Sequence, residues 1–222
     1  AVDFAEYYPF STAAFCGSDH LGCRSKGVGV VISPWNFPIA IPCGGIVASL
    51  AAGNTVIFKP SSDAALVAWV LCQCFWRAGV SQNVLQLVPS PGSTAASRLT
   101  NHPGVDFIIL TGGTETGLSI LQQRPDILLA AETGGKNATI ATAMSDRDLV
   151  ISNVIYSAFG NSGQKCSATS LLILEPEIYD DTDFKRQLVD AARSIGTGSA
   201  WDFFNKMGPL IQPPQGDLKK AL

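Results

Sequence analysis

Cys166 is set apart from the other cysteines (Cys16, Cys23, Cys43, Cys72 and Cys74) by its surroundings, a polar, glycine-rich turn, GQKCSA at 163–168, ahead of a β-branched run. A thiolate in such a turn adds to an electrophilic carbonyl and holds the product covalently. A free cysteine has a pKa of ~8.5 and is mostly protonated at neutral pH, so this chemistry needs a helix N-terminus, a base, or a cation such as Lys165 nearby. The other five thiols lie in segments that read as helices and strands, where cysteine serves as a small buried hydrophobe. Glu132 stands just before the Gly134-Gly135 pair, where a carboxylate is either a general base or a solvated strand end. Asn36, between Trp35 and Phe37, is either an amide donor or a turn residue.

Other chemistries are excluded. Only His20 and His102 are available and no CxxC pair occurs, so no zinc site is expected and the metal assignment is none. The net charge of -3, with acids and bases interspersed, forms no basic stripe, which excludes nucleic acid and a polybasic membrane contact. No charged residue occurs between Lys26 and Lys59, yet Pro34, Pro38, Pro42 and Asn54 break that stretch well below the ~20 apolar residues a membrane span needs. Six cysteines without a signal peptide favour reduced thiols in the cytoplasm. The charged fraction, 15%, is well under the roughly 25% usual for soluble domains. A surface that poor in charge implies a homo-oligomer or segments that once shielded it.

The elements that must position these residues alternate between short β-branched runs and longer stretches of helical period, the pattern of a doubly wound parallel α/β sheet. Strands are expected over 27–33, 55–59, 84–88, 106–110 and 128–132. Helices are expected over 42–52 and 63–78, through Ala95 and Leu99, and from the glycine-rich TGGTETG at 111–117. Within 63–78, Leu66, Val70, Cys74 and Trp76 recur at roughly helical spacing. In an open sheet of this kind ligands bind beyond the carboxyl ends of the strands, where Lys59, Thr111 and Glu132 fall. The pattern then restarts with a strand over 138–141, a helix over 146–159, a strand over 170–174 and a helix over 181–195. The chain therefore divides into one α/β domain at 1–135 and the beginning of a second at 136–222, which a family resemblance carried by the motifs implies are the dinucleotide-binding domain and the catalytic domain. The opening AVDFAEYYPF reads as the middle of a helix and the tail as the start of another, so both domains are expected to be truncated.

Four motifs in order, SPWNFP at 33–38, KPSS at 59–62, ETGGKN at 132–137 and GQKCSA at 163–168, with TGGTETG between the second and third, resemble the aldehyde dehydrogenase superfamily over nearly the whole chain. The resemblance implies that Cys166 attacks an aldehyde. The thiohemiacetal loses hydride, and Glu132 activates water to hydrolyse the resulting thioester. It implies that the Asn36 amide and the Cys166 backbone N–H form an oxyanion hole, in which losing one donor typically costs about 3 kcal/mol. No GxGxxG fingerprint is present, and the family does not use one. By resemblance, Lys59 contacts the adenosine ribose hydroxyls, and Ile32, Ser33, Pro34 and Trp35 line the dinucleotide cleft. Gly92 approaches the adenine side, Gly112 and Gly113 lead into a helix facing the pyrophosphate, and Ser62, Thr133 and Gly134 complete the cofactor site. Many NAD-preferring relatives carry glutamate where Ser62 stands and serine where Gly113 stands. The expected cofactor is NAD, with NADP as the open alternative.

The wording of SGQKCSA, AETGGKN, IILTGGTETG and the AVDFAEYY opening is most similar to glutamate semialdehyde (1-pyrroline-5-carboxylate) dehydrogenases, including those fused to proline dehydrogenase. In that subfamily the residue after the nucleophile helps hold the substrate carboxylate, which gives Ser167 that role. The expected reaction is oxidation of a small-molecule aldehyde, glutamate γ-semialdehyde, to glutamate in proline catabolism. Two alternatives stay open: a non-catalytic dinucleotide-binding remnant, and an aldehyde dehydrogenase of other specificity, including one that acylates coenzyme A. The family's later glutamate and phenylalanine motif, its N-terminal segment and its oligomerisation strands have no counterpart in these 222 residues. The chain by itself is therefore not expected to sustain turnover.

Overall fold

A computed structural model describes residues 1–18, 22–91 and 95–221, which divide into two compact units, Ala1–Gly134 and Gly135–Leu222. In the first unit β-branched runs form the strands β1 (Val28–Ile32), β2 (Thr55–Lys59), β3 (Leu85–Leu87), β4 (Phe107–Gly112) and β5 (Leu128–Thr133). All neighbours are parallel and the strand order is β3-β2-β1-β4-β5, so the winding direction reverses between β1 and β4. Helices α1 (Val2–Cys16), α2 (Ala40–Ala51), α3 (Ala65–Arg77), α4 (Ala95–Thr100) and α5 (Thr114–Gln123) belong to the same unit. This is the doubly wound α/β fold that the alternating pattern predicts.

Each face of the sheet has its own core. Val31, Val56, Phe58 and Leu85 pack against Cys43, Ile46 and Val47 of α2 and Ala68, Leu71 and Cys72 of α3. On the opposite face Val30, Ile108 and Leu110 pack with Ile120 of α5 and with Ile127. The Gly44-Gly45 pair lets α2 fit closely on both sides. A Cβ on Gly44 would sit 3.3 Å from the Phe4 ring of α1, and one on Gly45 would sit 3.1 Å from Val31 Cγ1. Gly29, in β1, accepts the Phe107 ring of the adjacent strand, which an added Cβ would meet at 2.2 Å.

Two local expectations change. The helix predicted over 63–78 begins as a 3-10 turn, Ser62–Ala64, capped by the Ser61 hydroxyl, and Ala64 leaves helical geometry before α3 starts. Its row of Leu66, Val70 and Cys74 faces outward, and Ala68, Leu71 and Cys72 pack on the sheet. An apolar period alone does not tell which of two apolar faces is buried.

The second unit pairs β6 (Asn137–Ala141) with β7 (Thr169–Leu174) in parallel. Ala141 of β6 packs with Ile151 of α6 (Arg147–Phe159), Ile178 of α7 (Pro176–Tyr179) and Phe184 of α8 (Thr182–Arg193) as its core, and α9 (Gly216–Ala221) ends the described chain. Asp181 caps α8 by accepting from the Asp183 and Phe184 N–H groups at 3.0 Å each. The bond from Phe184, with that from Arg147, holds its carboxyl below the usual range. The opposite face of the strand pair leaves Ile140, Leu171 and Ile173 exposed. Among the described residues no helix is long and apolar enough to cross a membrane, and no group of three or more His, Cys, Asp or Glu side chains converges as a metal site.

The entry to β1 depends on one buried amide. Asn54 Oδ1 accepts from the Lys26 N–H at 2.6 Å and the Gly27 N–H at 2.9 Å, while Nδ2 donates to the Ser49 carbonyl at 3.0 Å. Asn54 lies between α2 and β2, so it joins three segments at the amino edge of the sheet. Asn54→Ala orphans these backbone groups and should cost about 2 kcal/mol in denaturant unfolding. Asn54→Asp keeps both accepted bonds but buries a carboxylate and turns an acceptor toward the Ser49 carbonyl, so it should cost at least as much.

Candidate active site

Register brings the first unit's candidate residues to one edge of the sheet. Ile32 pairs with Lys59 on one side and Leu110 on the other, Thr111 pairs with Glu132, and Gly112 with Thr133. Beyond β1, Ser33 is buried, its N–H donating to the Lys59 carbonyl at 3.2 Å, and Pro34, Trp35 and Asn36 follow half-buried in the bend that leads to α2. All of these lie at the carboxyl ends of β1, β2, β4 and β5, around the β1–β4 reversal where open α/β sheets take their ligands. Ser62 is exposed in the 3-10 turn after β2. Gly134 closes the first unit. Gly92 lies outside the described residues.

The electrostatics of this edge suit an anionic, hydroxyl-rich ligand. Lys59 is only 6% exposed, and among the described residues its ammonium meets no carboxylate, donating only to the Pro60 carbonyl at 3.0 Å. Desolvation lowers its pKa. Gly113 is the N-cap of α5 and supplies no side-chain cap, leaving first-turn N–H groups of this ten-residue helix open. After β3, the buried Ser90 hydroxyl has no hydrogen-bond partner among the described residues. The hydroxyl and phosphate groups of a dinucleotide suit such a set of open donors. Sequence reasoning passed over Ser90, which carries no motif; only its burial singles it out.

The second unit holds Cys166 and Ser167, both exposed, on the turn between α6 and β7. Three successive left-handed residues lead into the turn: Asn161 (φ 54), Ser162 (φ 57) and Gly163 (φ 72). Two of them carry side chains, at roughly 1–2 kcal/mol each, so the conformation persists only where other contacts impose it. Ser162 Oγ donates to the Gly208 carbonyl at 2.6 Å, and Gln164 Oε1 accepts from the Ile211 N–H at 3.0 Å. From the other side Asn137 Nδ2 donates to the carbonyls of Cys166 at 2.6 Å and Ala168 at 3.2 Å. Asn137 stood inside a motif already singled out, yet its contact joins residues 29 apart and has no local signature.

One expectation about the thiols changes. Lys165, beside Cys166 in sequence, places its ammonium 5.0 Å from the centre of the Tyr156 ring. Of the five other cysteines only Cys43 and Cys72 are buried, and burial pushes their thiols up, Cys72 to about 11. Cys16, Cys23 and Cys74 are exposed, because α1 buries no residue and Cys74 lies on the outward row of α3.

The aldehyde dehydrogenase family profile matches residues 21–221. A 1-pyrroline-5-carboxylate dehydrogenase of Geobacillus thermodenitrificans is 34% identical over 242 aligned positions, which cover 100% of this chain and 46% of that relative. Among solved structures, proline utilization A from Corynebacterium freiburgense superposes with a TM-score of 0.92 at 41% identity, covering 100% of this chain and 23% of that one. A Thermus 1-pyrroline-5-carboxylate dehydrogenase with bound NAD gives a TM-score of 0.87 at 34% identity, covering 95% of this chain and 44% of that one. The chain thus spans less than half the length of these relatives. With a five-stranded parallel sheet and a family profile matched over residues 21–221, the chain belongs to the aldehyde dehydrogenase family.

Proposed function

We propose that this chain carries the dinucleotide site and the nucleophile of an enzyme that oxidises glutamate γ-semialdehyde to glutamate with NAD. The observation that carries the reading is Cys166, an exposed thiol on a turn whose neighbouring carbonyls are held by a side chain from another strand. The names of the relatives support the substrate, and the Thermus structure with bound NAD supports the cofactor.

The Cys166 thiolate adds to the aldehyde carbon, and the developing oxyanion takes hydrogen bonds from the Asn36 amide and the Cys166 N–H. When bound, the dinucleotide accepts hydride from the substrate carbon. Glu132 then removes a proton from the water that attacks the thioester, freeing Cys166 and the carboxylate product. Ser167 holds the substrate's own carboxylate. Ile32, Ser33, Pro34, Trp35, Lys59, Ser62, Gly92, Gly112, Gly113, Thr133 and Gly134 form the cofactor site. Ser62 itself carries no charge to repel a 2′-phosphate, so NADP stays open as the alternative cofactor. Coenzyme A acylation is the less favoured reading, since it needs no hydrolytic base at Glu132.

In the intact natural protein Cys166→Ala should abolish oxidation. Glu132→Gln should release one equivalent of reduced cofactor per site and then slow steady-state turnover by about 100-fold. Normal turnover of the Glu132 variant at neutral pH would remove the general base, and a preference for acetaldehyde over glutamate semialdehyde would remove the substrate.

Lys59→Met should weaken NAD binding in calorimetry while leaving the fold as stable or more so at neutral pH. Below its lowered pKa Lys59 is a buried cation, whose desolvation opposes folding in full. The penalty is relieved as pH rises from that value to the ordinary lysine range. The variant's stability advantage should therefore shrink over the same window, and retained NAD affinity would exclude Lys59 from the site.

A further inference from the structure

We propose that Asn137 is a positioning residue for the nucleophile: its amide brackets Ser167 by donating to the carbonyls of Cys166 and Ala168 and so sets the orientation of the Cys166–Ser167 peptide. The inference rests on the reading of Cys166 as nucleophile. Both contacts end on carbonyl oxygens, at 2.6 and 3.2 Å, so only the NH₂ half of the amide can make them, and both its protons are used. The peptide unit is planar, so fixing the Cys166 carbonyl also fixes the direction of the Ser167 N–H. With Ala168 held as well, Cys166 and Ser167 have little freedom to turn.

The strand geometry aims Asn137 at this task. Along β6–β7 the register runs Asn137↔Thr169 and then Ala138↔Leu171, so a one-residue irregularity lies at Asn137 and places Ser170 in excess on β7. Bulges of this kind redirect a side chain and recur beside active sites. The strand below is pinned separately. Thr169 Oγ1 lies 2.8 Å from Thr139 Oγ1, and the Thr169 N–H donates to Ser157 Oγ at 3.2 Å. The β6–β7 pair thus has ties of its own, and the Asn137 amide is left to act on the turn.

The test uses the intact natural protein with glutamate γ-semialdehyde and NAD, comparing wild type, Asn137→Ala, Asn137→Asp and Cys166→Ala. The kcat is normalised to titratable Cys166 thiol, and the KM for NAD and the melting temperature are measured alongside. Misplacing a nucleophile by about 1 Å costs on the order of 100-fold, so Asn137→Ala should lower kcat per thiol about 10- to 100-fold with the KM for NAD unchanged. Asn137→Asp fills the same volume but turns an acceptor toward two carbonyl oxygens, so it should lose at least as much. Wild-type kcat per thiol in Asn137→Asp would overturn the proposal. So would losses that track only the loss of titratable thiol and of melting temperature, which would make Asn137 a folding residue. Activity retained in Cys166→Ala would sink the nucleophile reading and this inference with it. Activity abolished there, beside unaffected Asn137 variants, would sink this inference alone.

Discussion

The reversal of winding between β1 and β4 is the constraint on which the rest of the first unit depends. Parallel strands need crossover helices, and crossovers of one hand put those helices on one face until the direction reverses. Here α2 and α3 cover one face of the sheet and α5 packs on the other. The loops that leave β1 and β4 therefore diverge and open a crevice at the carboxyl edge. Every first-unit residue with a proposed chemical role and a described position lies on this edge or in the segments leaving it, aligned by the register of parallel strands.

Two asparagines solve the same problem at different places. A crossover or a turn leaves backbone groups without ladder partners, and a carboxamide can satisfy several at once because it both donates and accepts. Asn54 does this where the chain enters β1, using both halves of its amide. Asn137 does it at the Cys166 turn, using only the donor half. In neither case does an isosteric aspartate preserve the full set of contacts, which makes the chemical identity of the side chain, and not its volume, the constraint.

The carboxyl edge also shows stability yielding to function. Among the described residues, a buried ammonium without an acid partner, a helix N-terminus without a side-chain cap and a buried hydroxyl without a partner each oppose folding. A sheet edge carrying all three is less stable than one filled with apolar residues, and its open donors are what a dinucleotide would engage. The turn of Asn161, Ser162 and Gly163 shows the same trade in the second unit, where left-handed backbone is held by contacts with Gly208 and Ile211.

Much of this was determined by the sequence alone. β-Branched runs punctuated by glycine and proline specify the parallel strands and the helices between them, because period and turn chemistry are local properties. Motif spacing likewise marks Lys59, Gly112, Glu132 and Cys166 at strand ends or on a turn. Only the tertiary structure decided which face of α3 is buried, since Leu66 and Val70 offer as apolar a row as Ala68, Leu71 and Cys72. It alone directed Lys165 to Tyr156, exposed three cysteines that local pattern would bury, and left the Ser90 hydroxyl without a partner among the described residues. It alone joined Asn137 to the Cys166 turn, for that contact is set by strand pairing and a register shift, which residues 29 positions apart cannot encode locally.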